Sequence, residues 1–146
     1  MTDQQQVTIR TAESNADLRR CFPVVHELRP HLDESSYLAQ VSRQANQGYR
    51  VAFAEAQGSV VAYAGYRFAE MLAWGKTLYV DDLVTASAHR SDGYGGLLFD
   101  WLVDQAKSEG CDEFHLDSGV QRFAAHRFYL RKRMDITSHH FAISLR

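Results

Sequence analysis

The 146-residue chain has few of the residues that mark several protein classes. Its two cysteines, Cys21 and Cys111, stand far apart, and neither lies in a CxxC or Cys/His spacing that would close a zinc site. No metal is expected, and both thiols read as small reduced core hydrophobes. No linker or low-complexity stretch divides the chain, so residues 1–146 are expected to form a single domain. Charge of one sign is also lacking: the net charge is -2, with acidic and basic residues interleaved. That balance excludes the broad basic footprint a nucleic-acid partner demands. No apolar run is long enough to span a bilayer, and the opening Met-Thr-Asp-Gln-Gln-Gln has neither a basic nor an apolar leader region. The expectation is a cytoplasmic protein with no membrane partner.

What is present is an ordinary globular composition, 45% hydrophobic and 23% charged. Val7 to Glu13 alternates as a strand, and Ser14 or Asn15 can cap a helix beginning near Asp17, with Pro23 inside it as a kink or break. Asp33 can cap a second helix ending near Gly48. Tyr49 to Ala56, a Gln57-Gly58 turn and Ser59 to Phe68 read as a hairpin, and Lys76 to Thr85 as a further strand. A helix over Gly93 to Glu109 stops at Gly110; then come a strand over Glu113 to Ser118, a helix over Arg122 to Arg133 and an alternating strand over Ile136 to Leu145. The order βααβββαβαβ implies an α/β fold in which a mixed, mostly antiparallel twisted sheet is flanked by helices.

Arg90-Ser91-Asp92-Gly93-Tyr94-Gly95-Gly96 sits where a strand feeds a helix start. The first amides of a helix lack intrahelical partners and bind anions, while glycines let phosphate oxygens approach the backbone. A Walker A loop would end in Gly-Lys-Ser/Thr, which is absent, and the dinucleotide fingerprint would need glycine where Leu98 stands.

Arg90, Gly93 and Gly95 match the Arg/Gln-x-x-Gly-x-Gly/Ala motif of the GNAT superfamily of N-acetyltransferases, which the chain resembles in element order as well. The resemblance implies a GNAT-type fold that takes acetyl-CoA as acyl donor, with residues 90–96 holding the pyrophosphate through backbone amides. It further implies that the strand edge at Leu83, Val84 and Thr85 pairs with the pantetheine arm.

Ala125-His126-Arg127-Phe128-Tyr129 resembles the superfamily's A-x-x-[FL]-Y signature, which makes Tyr129 the candidate acid for the departing thiolate. Asp81 and Asp82 are the candidates for the amine's proton; regular strand geometry sends them to opposite faces. Asp81 is preferred as base because its spacing to Arg90 is that of a carboxylate in polyamine-type members. Arg29, His31 and Tyr37, in the region that shapes the superfamily's acceptor pocket, and Asp117 and His126 are candidate substrate contacts. Two positions depart from the family pattern. Arg122 stands where many members have Asn and is a candidate cofactor contact, while Arg133 stands where many have Gly, a poor fit to a left-handed helix end. The expected activity is direct acetyl transfer to a primary amine of a small molecule or peptide. The alternative is a non-catalytic acyl-CoA-binding module. Edge strands of such a sheet often pair, which points to a homodimer.

Overall fold

A computed structural model describes residues 6–146; Met1–Gln5, part of the opening read above for a leader, lie outside them. The chain divides into two compact units, Met1–His115 and Leu116–Arg146. Among the described residues no helix is long and apolar enough to cross a membrane, and no group of His, Cys, Asp or Glu could hold a metal ion.

In the sheet, β1 (Val7–Thr11), β2 (Arg50–Ala56), β3 (Ser59–Met71), β4 (Gly75–Thr85) and β5 (Glu113–Leu116), whose last residue begins the second unit, follow one another in that order, the first four antiparallel. The helices are α1 (Asn15–Leu28), α2 (Glu34–Ala45) and α3 (Tyr94–Ser108), which with the sheet make the expected α/β architecture. Ser14 caps α1 by accepting from the Asp17 amide at 3.2 Å. Asp33 and Ser36 cap α2 with a reciprocal pair of bonds. Pro23 does not break α1, which runs on to Leu28. Gln57 and Gly58 both take positive φ, 54° and 77°, as a two-residue hairpin turn requires.

Strand alternation sorts the core. Tyr49, Val51, Phe53 and Tyr63 pack against Cys21, Val24 and Val25 of α1 and Tyr37 of α2. The intervening Ala52, Ala54, Ala62 and Ala64 are small and buried, and on their side Tyr66 meets Trp101 of α3 edge-on at 6.2 Å.

The pairing of β3 with β4 slips between Gly65 and Tyr66: Gly65 opposes Asp82, Tyr66 opposes Val80, and Asp81 is the extra residue. A bulge interrupts alternation, so the expected opposite facing of Asp81 and Asp82 does not hold. Both converge on Tyr49. Asp82 accepts from its phenol at 2.7 Å, and Asp81 holds Arg67, whose guanidinium carbon stands 5.7 Å from the ring centre.

The second unit contains α4 (Phe123–Arg131). Arg133 adopts the left-handed conformation, φ 67°, despite its side chain. The Arg133 amide donates to Leu130 at 3.0 Å and the Met134 amide to Tyr129 at 3.1 Å, the two bonds of a Schellman end. The expected strand over Ile136 to Leu145 does not form. Ile136, Phe141, Ile143 and Leu145 are 78%, 91%, 84% and 94% exposed. Alternation equips a segment to be a strand, but a strand also needs a neighbouring backbone to take its hydrogen bonds, and among the described residues none pairs with this segment.

Candidate active site

The anion-binding turn is built as the sequence suggests. Gly93 is the N-cap of α3 at φ 87°, with no side chain capping the helix, and the first intrahelical bond runs from the Leu97 amide to the Gly93 carbonyl at 3.1 Å. The amides ahead of Leu97 lack intrahelical acceptors. Tyr94 is buried, with its ring 5.7 Å from that of His89, so the side chain anchors the turn and the backbone is left for a ligand. A Cβ on Gly95 would stand 2.6 Å from Thr85 Oγ1, so glycine lets the helix start lie this close to the end of β4 without displacing that hydroxyl. Ser91, at φ 78°, and Asp92, 3.4 Å from His89 Nδ1, shape the approach. Arg90 is mostly exposed, its guanidinium 3.9 Å from Glu27. Glu27 also accepts from the Ser87 amide at 2.9 Å, tying α1 to the turn.

Leu83, Val84 and Thr85 pair with Ala64, Tyr63 and Ala62 on one side. On the other, the Asp112 amide donates to Lys76 at 2.7 Å and Thr77 Oγ1 to Glu113 at 3.0 Å, which puts the four-residue β5 against the early part of β4. Among the described residues no backbone pairing is seen on that side of residues 83–85. A free strand edge followed by an uncapped, glycine-lined helix start suits the amide-rich arm and pyrophosphate of CoA.

Beside this edge lies a cavity of about 240 Å³ lined by residues that include Arg29, His31, Tyr37, Gln40, Tyr49 and Asp82. Arg29 is the C-cap of α1; its Nε donates to Asp82 Oδ1 at 2.9 Å, and its Nη2 stands 2.8 Å from the same oxygen as an ion pair. Asp82 Oδ2 accepts from Tyr49. Behind Tyr49, three phenols form a column: Tyr37 to Tyr63 at 2.9 Å and Tyr63 to Tyr49 at 3.0 Å. Each phenol has one proton. Since Tyr49 spends its own on Asp82, Tyr63 must donate to Tyr49, and Tyr37 to Tyr63. Burial pushes all three phenols above their ordinary pKa, so they remain neutral donors.

Arg29, His31, Tyr37 and Asp82 were singled out from sequence, and the fold gathers them. Asp81 is not among the residues that line the cavity; Arg67 holds it through Nε at 3.0 Å and a second bond from Nη2. Tyr49, Tyr63 and Arg67 were not anticipated. Their signal was available in register: Tyr49 and Tyr63 lie on one face of neighbouring strands. Neither cysteine is an activated nucleophile, since burial pushes Cys21 up to about 12 and also raises Cys111.

In the second unit, burial raises the Tyr129 phenol while the Arg122 guanidinium opposes the shift by charge and hydrogen bonding. Arg122 is the N-cap of α4. His126 donates through Nε2 to the Gly119 carbonyl at 2.7 Å, and His140 lies 3.4 Å from Asp117.

A five-stranded sheet whose β4 leads into the glycine-capped start of α3 has the form of an acetyltransferase fold. Residues 12–134 match the model of the acetyltransferase (GNAT) family, and the chain belongs to that family. It is 32% identical over 127 residues to an uncharacterized N-acetyltransferase, YhdJ, of Bacillus subtilis (strain 168), covering 86% of this chain and 89% of that protein. Among solved structures it is similar to a transcriptional regulator from Bacillus halodurans C-125, with TM-score 0.84, 23% identity and coverage of 95% and 99%. It is also similar to the aminoglycoside N-acetyltransferase AAC(6')-Iy in complex with CoA, with TM-score 0.82, 14% identity and coverage of 96% and 95%. The structural likenesses, at these identities, show a shared fold.

Proposed function

We propose that the protein is an N-acetyltransferase that moves an acetyl group from acetyl-CoA to a primary amine by direct attack in a ternary complex. The observation that carries this is the carboxylate of Asp82 facing a cavity beside the free edge of β4 and the open start of α3. Acetyl-CoA supplies the acyl group as a thioester, from whose carbonyl carbon the amine nitrogen displaces the CoA thiolate. The amides of residues 93–96 bind the pyrophosphate, and Arg90 adds a cation at the rim. Leu83–Thr85 pair with the pantetheine arm. Asp82 takes the proton that the acceptor's ammonium must lose before its nitrogen can attack, and its place in the cavity supports it over Asp81. Tyr129 gives its proton to the departing sulfur and is reprotonated by the second proton that the nitrogen sheds as the amide forms, and Arg122 steadies the phenol.

The experiment is a pair of measurements. Acetyl-CoA at about 100 times its Kd should stabilise the protein by about 2.7 kcal/mol against unfolding, and an amine panel should release CoA thiol. An unchanged melting temperature at millimolar acetyl-CoA sinks the reading; stabilisation without thiol release from any amine leaves the non-catalytic acyl-CoA-binding module in its place.

The same reading includes a homodimer. Each chain offers an exposed apolar alternating segment, 136–145, and β5 is the last strand of the sheet; among the described residues neither has a further strand partner. Exchange of that segment between two copies would satisfy both features in a closed two-fold arrangement. Truncation after Met134 is expected to halve the mass measured by light scattering; a full-length chain that is monomeric at tens of micromolar refutes the exchange.

A further inference from the structure

The cavity holds two charges where amine binding needs one. Resting on the acetyltransferase reading above, we propose that the acceptor is a compact zwitterion, an amino acid whose ammonium meets Asp82 and whose carboxylate meets Arg29. Asp82 Oδ1 accepts from Arg29 Nε and lies 2.8 Å from its Nη2, while among the described residues Oδ2 receives only the Tyr49 proton, which leaves it a lone pair for an ammonium. Arg29 Nη2 donates to the Asp81 carbonyl at 3.3 Å, and among the described residues its Nη1 has no hydrogen-bond partner. Two N–H groups of the Arg29 guanidinium, on a side chain that is 42% exposed, are therefore open to an anion, beside an Asp82 side chain that is only 17% exposed.

Opposite charges this close select against most amines. A polyamine or aminoglycoside would bring several cations against Arg29, and a simple amine would leave the guanidinium unused. A carboxylate on the same small molecule as the amine uses both. Size agrees, since about 240 Å³ falls below the ~300–1,000 Å³ of sites for drug-sized ligands. His31, on the same lining, offers a further ring nitrogen to the anion.

The test compares each free amino acid with its carboxamide, which keeps the amine and side chain and removes the negative charge. With saturating acetyl-CoA, thiol release should favour the acid over its amide at least ~10-fold in kcat/KM for the preferred side chain, the size expected for a charge-assisted pair. In Arg29→Gln that ratio should fall toward one, and Arg29→Lys should restore part of it. Equal or better use of the amides overturns the proposal. So does failure to acetylate any amino acid by a protein that acetyl-CoA stabilises, an outcome that leaves the acetyltransferase reading intact. If acetyl-CoA does not stabilise the protein, that reading falls, and calorimetry decides the zwitterion site alone. Binding of an amino acid but not its amide supports it, and binding of neither overturns it.

Discussion

Asp81 and Asp82 are neighbours of the same chemistry, and the fold gives them different company. Arg67 grips Asp81 in a two-bond pair, whereas Asp82 faces the cavity with Arg29 and Tyr49. Asp82→Asn is therefore expected to lower kcat/KM by about 10²- to 10⁴-fold and remove its acidic limb, the range for loss of general base catalysis. Asp81→Asn should act mainly on stability, since it leaves a part-buried guanidinium with a weaker partner, at a cost of about 1–3 kcal/mol. The assignment fails if the pH–rate profile of Asp82→Asn matches wild type. Tyr129→Phe in the same assay should slow turnover while sparing acetyl-CoA affinity. Spacing alone could name the two aspartates. It could not separate them, because a bulge is a property of register between two strands and leaves no mark on either strand's own alternation.

Elements whose determinants are local were legible. α3 was expected over Gly93–Glu109 and runs Tyr94–Ser108, because its glycine start and stop are written into the helix itself. The Gln57-Gly58 hairpin is equally local. The segment 136–145 was misjudged for the opposite reason: its alternation is real, but pairing depends on a backbone elsewhere. At the end of α4, Arg133 carries the conformation that glycine takes at no steric cost. Arg133→Gly should relieve ~1–2 kcal/mol of left-handed strain, less ~0.5–1 for the added freedom of the unfolded chain. The expected net gain, up to about 1.5 kcal/mol, is read as a higher urea midpoint at constant m. A lower midpoint would show that the Arg133 side chain stabilises the protein by more than its strain.

Across the first unit, β1, α1 and β2 are joined by charge. Arg10 bridges Asp17 at 3.0 Å and Glu55 at 2.9 Å, and Arg20 also binds Glu55. Arg10 first, then the Glu13 amide, lowers the Asp17 carboxyl; Arg20 is the largest influence lowering Glu55. Carboxyls depressed by folding stabilise the protein above their unfolded pKa values, ~3.9 and ~4.3, and this contribution is lost as pH falls through the folded values. Asp17→Asn should thus destabilise the protein at pH 6, and the difference from wild type should shrink toward pH 3. A difference that stays constant over that range would place the effect in packing.

The phenol column behind Asp82 behaves as a single switch. Tyr49 cannot step aside on the Gly65 side, where even a Cβ would overlap its phenol. With one proton each, the three hydroxyls cannot reverse independently without leaving two donors, or two acceptors, face to face. If Asp82 keeps a proton on Oδ2 and donates it to Tyr49, the column turns as one: Tyr49 to Tyr63, and Tyr63 to Tyr37. Tyr37, which lines the same cavity, then has a hydroxyl proton to offer where before it showed only oxygen. The wall of the cavity would thereby change polarity each time Asp82 gains or releases a proton, and the pocket that receives the amine would differ from the pocket that releases the amide.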